Sequence, residues 1–272
     1  MRPSSPDPAV PPQVIPRPAT ATPGAPPPWA ALDPAARGGL TVDRVLSQLH
    51  RAGWTGTEPP PATHKVDVLD GPPAGGAFRR SAVLVGLFDE GGQARVLLTR
   101  RSSGLRSHRG EVSFPGGRVE PGEDPVAAAR REAHEEVTLD PATVRAAGWL
   151  RPVLTLVSNS LVFPVVAVID PPPAELVASP VEVDRVFDAA LVDLAADGVY
   201  HEEWWTLPGP GPGPGPGPGP GPGPGPGPGL RPADGAYPVR FFDVAGETVW
   251  GATGRMLYEL LCVALGFDPV AI

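Results

Sequence analysis

Apolar residues along the chain fall into short blocks, separated by glycine, proline and acidic turns. Val45, Leu46 and Leu49 share one face at helical spacing, Thr41 offers an N-cap and Gly53 a stop, which predicts a helix over 42–51. Residues 54–77 read as irregular. Ser81 to Phe88 is a continuous apolar run suited to a buried strand. Asp89-Glu90-Gly91-Gly92 signals a turn, and Arg95 to Thr99 returns as a second strand, so the two form a hairpin. Asp124 as N-cap and Pro125 at the first helical position open a helix over 125–137. Further strands are expected at 146–157, 161–169, 184–194, 201–206 and 238–243. The last helix is expected over 254–265, capped by Thr253, striped by Met256, Leu257, Leu260, Leu261 and Ala264, and ended by Gly266.

Composition changes this picture at two places. The chain of 272 residues holds 34 glycines and 41 prolines. Residues 1–35 are rich in Pro, Ala, Ser and Thr and are expected to form a disordered tail, because they cannot bury enough apolar surface to offset ordering entropy. Residues 207–235 contain a Gly-Pro repeat between two strand-like flanks. They are expected to be a disordered insertion at a hairpin tip, solvated and PPII-like. The globular domain is then 36–206 together with 236–272.

Charge and cysteine usage narrow the class. A net charge of −8 argues against nucleic-acid coating. Cys262 is the single cysteine, so no intramolecular disulfide forms and a reducing cytoplasm is expected. The N-terminus has no apolar signal region, and Leu161 to Ile169 is about half of the ~20 residues a membrane span needs.

The chemistry lies between Leu97 and Leu139. Glu132, Glu135 and Glu136 stand at i, i+3 and i+4, one face of the expected helix, while Val126, Ala129, Ala133 and Val137 lie on another. Like charges at that spacing repel, and a hard divalent cation among them would reverse the penalty. Three glutamates on a helix are by themselves more often a solvated face. What changes the reading is the surrounding spacing: Gly117, five residues, Glu123, seven residues, then Arg131-Glu132-Ala133-His134-Glu135-Glu136. This resembles the Nudix box of the Nudix hydrolases. One position departs, Thr138 standing where the box has glycine, which touches the helix end and none of the acids.

The preceding residues add to the likeness. Leu97-Leu98-Thr99-Arg100-Arg101-Ser102, then Arg106, Gly110 and Phe114-Pro115-Gly116-Gly117, are similar to the signature of the Nudix coenzyme A pyrophosphatases. Segments around Ser158-Asn159, Val183 to Phe187 and Trp250 to Thr253 look like that subfamily too.

The resemblance implies an α/β fold of the α+β type, a mixed β-sheet sandwiched between helices. It implies an enzyme of the pyrophosphohydrolase class, with Mg²⁺ or Mn²⁺ as cofactor and coenzyme A or a derivative as a small-molecule substrate. Glu132, Glu135 and Glu136 are the implied metal ligands, and Glu123 and Arg131 complete the catalytic set. Glu123 either fixes Arg131 by a salt bridge or binds metal through water, and Arg131 is expected to orient the glutamates. Arg101, Arg106, Gly110, Gly116 and Gly117 are the implied substrate-binding residues, with Arg100 and Arg109 adding local positive charge that suits phosphates. His134 is expected off the carboxylate face, and His108 lies in the arginine loop, where contact with substrate is the lesser reading. Other readings are a pyrophosphatase for ADP-ribose, NADH or a damaged nucleotide, and a silent ligand-sensing module. No nucleic-acid or membrane partner is expected, and oligomeric state is open.

Overall fold

A computed structural model describes residues 11–55, 78–105, 107–155, 160–206 and 236–268. In chain order the elements are β1 (Thr22–Pro23), α1 (Pro34–Arg37), α2 (Val42–Arg51), β2 (Arg79–Glu90), β3 (Gln93–Arg101), β4 (Val112–Ser113), β5 (Gly116–Arg118), α3 (Pro125–Val137), β6 (Val144–Trp149), β7 (Val153–Thr155), β8 (Ser160–Ile169), β9 (Val183–Ala190), α4 (Leu191–Leu194), β10 (Tyr200–Thr206), β11 (Ala236–Val244), β12 (Glu247–Val249) and α5 (Gly251–Leu265). The expected helices at α2 and α3 have the expected bounds. Thr41 accepts the Arg44 N–H at 3.2 Å, and Asp124 accepts those of Val126 and Ala127 at 2.8 and 2.9 Å.

The main sheet has eight strands and is mixed. Its path is β4-β3-β2-β8-β6, with β9 on β3, β5 on β2 and β7 on β8; β2 and β8 run parallel. β8 is buried along its whole length, which is why it reads as an unbroken apolar run. Side-chain alternation divides the sheet into two faces. Val85, Leu87, Val96, Leu98 and Val166 meet one core with α2 and α5, while Ala82, Leu84, Leu97, Val165 and Ala167 meet Ala128, Ala129, Ala133 and Val137 of α3. The architecture is α+β, a mixed sheet between helices, as expected. A second, antiparallel sheet has the order β1-β10-β11-β12.

Several boundaries differ from expectation. The strand expected over 146–157 splits into β6 and β7 around Arg151-Pro152, where proline has no N–H for a ladder. The strand expected over 184–194 stops at Ala190, because Leu191 and Leu194 bury together at helical spacing as α4. The last helix starts at Gly251, so Thr253 is a buried residue of its first turn and not its cap. Residues 11–35, expected in a disordered tail, pack on the domain. Trp29 is buried with ring centroids 5.5 Å from both Tyr200 and Tyr258, and the Gln13 amide pairs with the Thr248 backbone in both directions at 2.7 and 3.0 Å. One tryptophan and one glutamine supply contacts that bulk composition does not register. Residues 1–10, most of the expected irregular stretch and the Gly-Pro tract lie outside the described residues. Among the described residues no helix is long and apolar enough to cross a membrane.

The departure at Thr138 has a local cost. Thr138 caps α3 in the left-handed region at φ 57°, with its N–H on the His134 carbonyl at 2.9 Å. Its hydroxyl accepts the Val177 N–H at 3.1 Å, a partner that glycine would lack, although that N–H also reaches the Val137 carbonyl at 3.2 Å. Thr138→Gly removes the left-handed penalty of roughly 1–2 kcal/mol and loses one shared hydrogen bond of roughly 0.5–1.5 kcal/mol. The two ranges leave a net change between a loss of about 0.5 and a gain of about 1.5 kcal/mol, and a small gain is expected in urea unfolding, with unchanged turnover; a loss of stability would show that the hydroxyl outweighs the strain.

Candidate active site

The site forms where β3 leaves β2. The two strands pair from Glu90↔Gln93 to Leu87↔Val96; further along, β5 takes the place beside β2 at Ser81–Val83. That puts Gly116 and Gly117 under α3. A Cβ on Gly116 would strike the Ala82 carbonyl oxygen and the Val83 Cα, and one on Gly117 would strike the Glu132 carboxylate. Both positions therefore require glycine for close approach.

Within α3, the three glutamates separate into two environments. Glu136 is buried and accepts the Gly116 N–H at 3.2 Å; its nearest cation is Arg101, 3.8 Å away. Burial pushes its carboxyl up to about 7, opposed by the Gly116 N–H and Arg101 and reinforced by Glu132 and Glu182. Glu132 is half-buried beside it and is also raised, by burial first, with Arg131 pulling the other way and Glu135 and Glu182 adding. Glu135 is more than half exposed and turns to Arg131 at 3.2 Å. Among the described residues no three His, Cys, Asp or Glu side chains converge closely enough to hold a metal ion. Of the three carboxylates expected to come together, Glu132 acts on Glu136 while Glu135 is drawn aside.

Arg131 draws it aside. Its Nε and Nη2 clasp both oxygens of Glu123 at 3.0 and 3.1 Å, its Nη1 donates to Glu132 at 3.0 Å and to Glu135 at 3.2 Å, and its Nη2 also reaches the Arg118 carbonyl at 3.0 Å. The Arg131 guanidinium holds Glu123 below the usual carboxylate range and is itself raised above its own usual value. Glu123 is tied down as a partner of Arg131, one of the two arrangements expected of it, and Arg131 also bonds Glu132 and Glu135.

The arginine loop divides by strand parity. Arg101 lies on the α3 side, near Glu136, and its buried Nε has no hydrogen-bond partner among the described residues. Arg100 points to the opposite face. It is buried and spent on Glu247 at 3.0 and 3.1 Å, so it does not add to the charge available to phosphates as its neighbours led us to expect. Gly110, at φ 64°, donates its N–H to the Arg101 carbonyl at 3.1 Å and sits against the Arg100 guanidinium. Arg109 is exposed, and Arg106 lies outside the described residues. His108 pairs with Glu111 at 2.9 Å, and that bond raises its imidazole. His134 is exposed off the carboxylate face, with its Nδ1 3.2 Å from the Leu139 carbonyl.

Sequence reasoning missed Glu182. Pairing runs Arg100↔Arg185 and then Arg101↔Val183, so Asp184 is an extra residue, a β-bulge. The bulge turns Val183 toward the α3 core and brings Glu182 near enough to act on Glu132 and Glu136. It also ties down the arginine loop, since Ser102 N–H bonds the Glu182 carbonyl at 2.8 Å and Ser103 N–H the Asp184 carboxylate at 2.9 Å. Nothing in the spacing from Glu136 to Glu182 signals this.

Residues 77–196 match the family model of the NUDIX domain. The chain is 44% identical over 118 residues to "Nudix hydrolase 15, mitochondrial" of Arabidopsis thaliana, covering 42% of this chain and 40% of that protein. It is 44% identical over 124 residues to "Uncharacterized Nudix hydrolase NudL" of Escherichia coli, covering 45% and 63%. The chain thus spans less than two thirds of the length of these curated relatives. Among solved structures, a Nudix hydrolase of M. Smegmatis, RenU, covers 43% of this chain and 73% of its own at 23% identity and a TM-score of 0.37.

Proposed function

Taking as premise that residues 77–196 form a NUDIX domain, we propose that this protein hydrolyses the P–O–P bond of nucleoside diphosphate derivatives with a divalent cation, and that its substrate is coenzyme A or a derivative. The observation that carries the reading is Glu136: a buried carboxylate paired with Glu132 and faced by one guanidinium, Arg101, at 3.8 Å. Buried charge of that kind calls for a cation, and oxygen donors suit Mg²⁺ or Mn²⁺. The missing Cβ of Gly117 lets the Glu132 carboxylate lie against β5, close enough to Glu136 to act on it, so the pair offers such an ion oxygen donors. Glu132 and Glu136 would hold it, with Glu135 or Glu182 recruited from the exposed rim. The ion would neutralise phosphate charge as it builds in the transition state.

The chain's own groups supply the rest. Arg101, about a quarter exposed with its Nη1 3.8 Å from Glu136, can donate from its guanidinium end to phosphate oxygens. Arg131 fixes Glu132 and Glu135 in orientation. A carboxylate beside the phosphates would take a proton from the attacking water, whose oxygen then bonds phosphorus as the bridging P–O bond breaks. From coenzyme A, with its 3′-phosphate, the products are 3′,5′-ADP and 4′-phosphopantetheine. The arginine signature from Arg101 to Gly117 favours this substrate over ADP-ribose, NADH or a damaged nucleotide.

The test is product analysis for these four substrates at one Mn²⁺ concentration, with and without EDTA. Metal-dependent 3′,5′-ADP from coenzyme A, at the highest kcat/KM of the set, is expected. A preference for another member keeps the hydrolase and discards the coenzyme. No cleavage of any discards the hydrolase in favour of a ligand-sensing domain.

A further inference from the structure

On the sheet face away from the glutamates is a second charged cluster that the reaction does not use directly. Arg100 and Arg185 are direct cross-strand partners on β3 and β9. Like charges so placed repel. Between them lies Glu247 of β12, from the second sheet, accepting two bonds from Arg100 Nη1 at 3.0 and 3.1 Å and one from Arg185 Nη1 at 3.0 Å. All three side chains are less than a tenth exposed. The two-residue turn before Glu247, with Ala245 and Gly246 at positive φ, adds the Ala245 carbonyl as a further acceptor for Arg185 at 3.0 Å. Arg100 Nη2 donates to the Pro11 carbonyl of the N-terminal segment, and Arg185 lies 4.8 Å from the Phe187 ring centroid.

The place of this cluster in the register gives it a use. The Arg100↔Arg185 pair is the last one before the bulge at Asp184, and the next residues on either side are Arg101 and, past the bulge, Val183 and Glu182. We propose that Glu247 is a positioning residue for the active site: by neutralising the facing arginines it locks β3 to β9 at the rim of the bulge, and so aims Arg101 at the glutamates from the opposite face of the sheet. A buried ion cluster contributes little net stability compared with apolar packing, and its geometric restraint is what the site needs. The second sheet and the N-terminal segment thereby become part of the active-site support. The assignment rests on the reading of Arg101 as a phosphate ligand.

The experiment pairs kinetics with structure. Glu247→Gln keeps the shape and removes the charge that separates two guanidinium groups. In the full chain kcat/KM for coenzyme A is expected to fall about 10–100-fold, the range for residues that orient active-site ligands. In an Arg101→Ala background the same change is expected to cost about twofold or less, because both act through one contact. Equal losses in the two backgrounds would overturn the proposal. Should Glu247→Gln fail to fold, Glu247→Asp keeps the charge but draws the carboxylate back from both guanidinium groups, which it now meets at 3.0–3.1 Å, and carries the same expectations. If the wild-type protein cleaves no pyrophosphate, the substrate reading fails, and crystal structures of wild type and variant decide this one. A displacement of the Arg101 guanidinium by ~1 Å or more, enough to spoil a reacting geometry, supports it, and an unmoved Arg101 refutes it.

Discussion

Glu136→Gln is expected to lower pyrophosphate cleavage by ~10²–10³-fold, the scale for removing one preorganised charge from an active site, while the protein folds at least as well as wild type. Glutamine matches the shape and can still accept the Gly116 N–H, which reaches Glu136 at 3.2 Å. It also removes a buried charge, and the sign of that effect follows from the titration. The Glu136 carboxyl sits at about 7 in the folded chain against a usual 4.5. The folded state therefore binds more protons than the unfolded state between those values, and stability falls as pH rises from about 4.5 to about 7. The loss is on the order of 3 kcal/mol in metal-free protein, and Glu132, also raised, adds to it in the same direction. Urea unfolding in EDTA from pH 4.5 to 8 should show wild type weakening and Glu136→Gln weakening less. Added Mn²⁺ should restore wild type at pH 8 and leave the variant unchanged. Near wild-type turnover at saturating Mn²⁺ would remove Glu136 from the site.

Alanine at the two adjacent glycines should separate chemistry from folding. At Gly117 the new methyl meets the Glu132 carboxylate, the far end of a flexible chain. The side chain yields, the fold survives, and kcat/KM falls by ~10²-fold because a reacting group is displaced by about an ångström. At Gly116 the new methyl meets the Ala82 carbonyl and the Val83 Cα, backbone of a central strand. That cannot yield cheaply, and a loss of ~1–3 kcal/mol or more is expected from overpacking. Unfolding midpoints and turnover measured on both variants check the contrast. Equal stability loss at the two positions would contradict the placement of Glu132 over Gly117.

Much of this was legible in the residues themselves. Local rules set α2 and α3, because a capping side chain, an apolar stripe and a stop all lie within one short segment. The β2–β3 hairpin followed from its Gly-Gly turn. Helical spacing placed only Glu132, Glu135 and Glu136 on one face of α3; Glu123, which precedes the helix, and Arg131 were singled out with them by the likeness to the Nudix box. The failures share a cause, which is contact between distant segments. Arg100 looks like Arg101 until β12 brings Glu247 beneath it. Glu182 needs the bulge, which depends on β9 meeting β3. Trp29 reads as part of a proline tail until Tyr200 and Tyr258 enclose it. Thr253 looked like a cap because a capping residue is judged by its neighbours, whereas the start of α5 is fixed at Gly251.

The ladder joining β10 to β11 runs unbroken from Tyr200↔Phe242 to Thr206↔Ala236. Its register is specified by aromatic and charged pairs below that last rung, and no described pair depends on how many residues separate Thr206 from Ala236. A chain with fewer or more Gly-Pro units should therefore keep this ladder and unfold at the same urea concentration as the natural length.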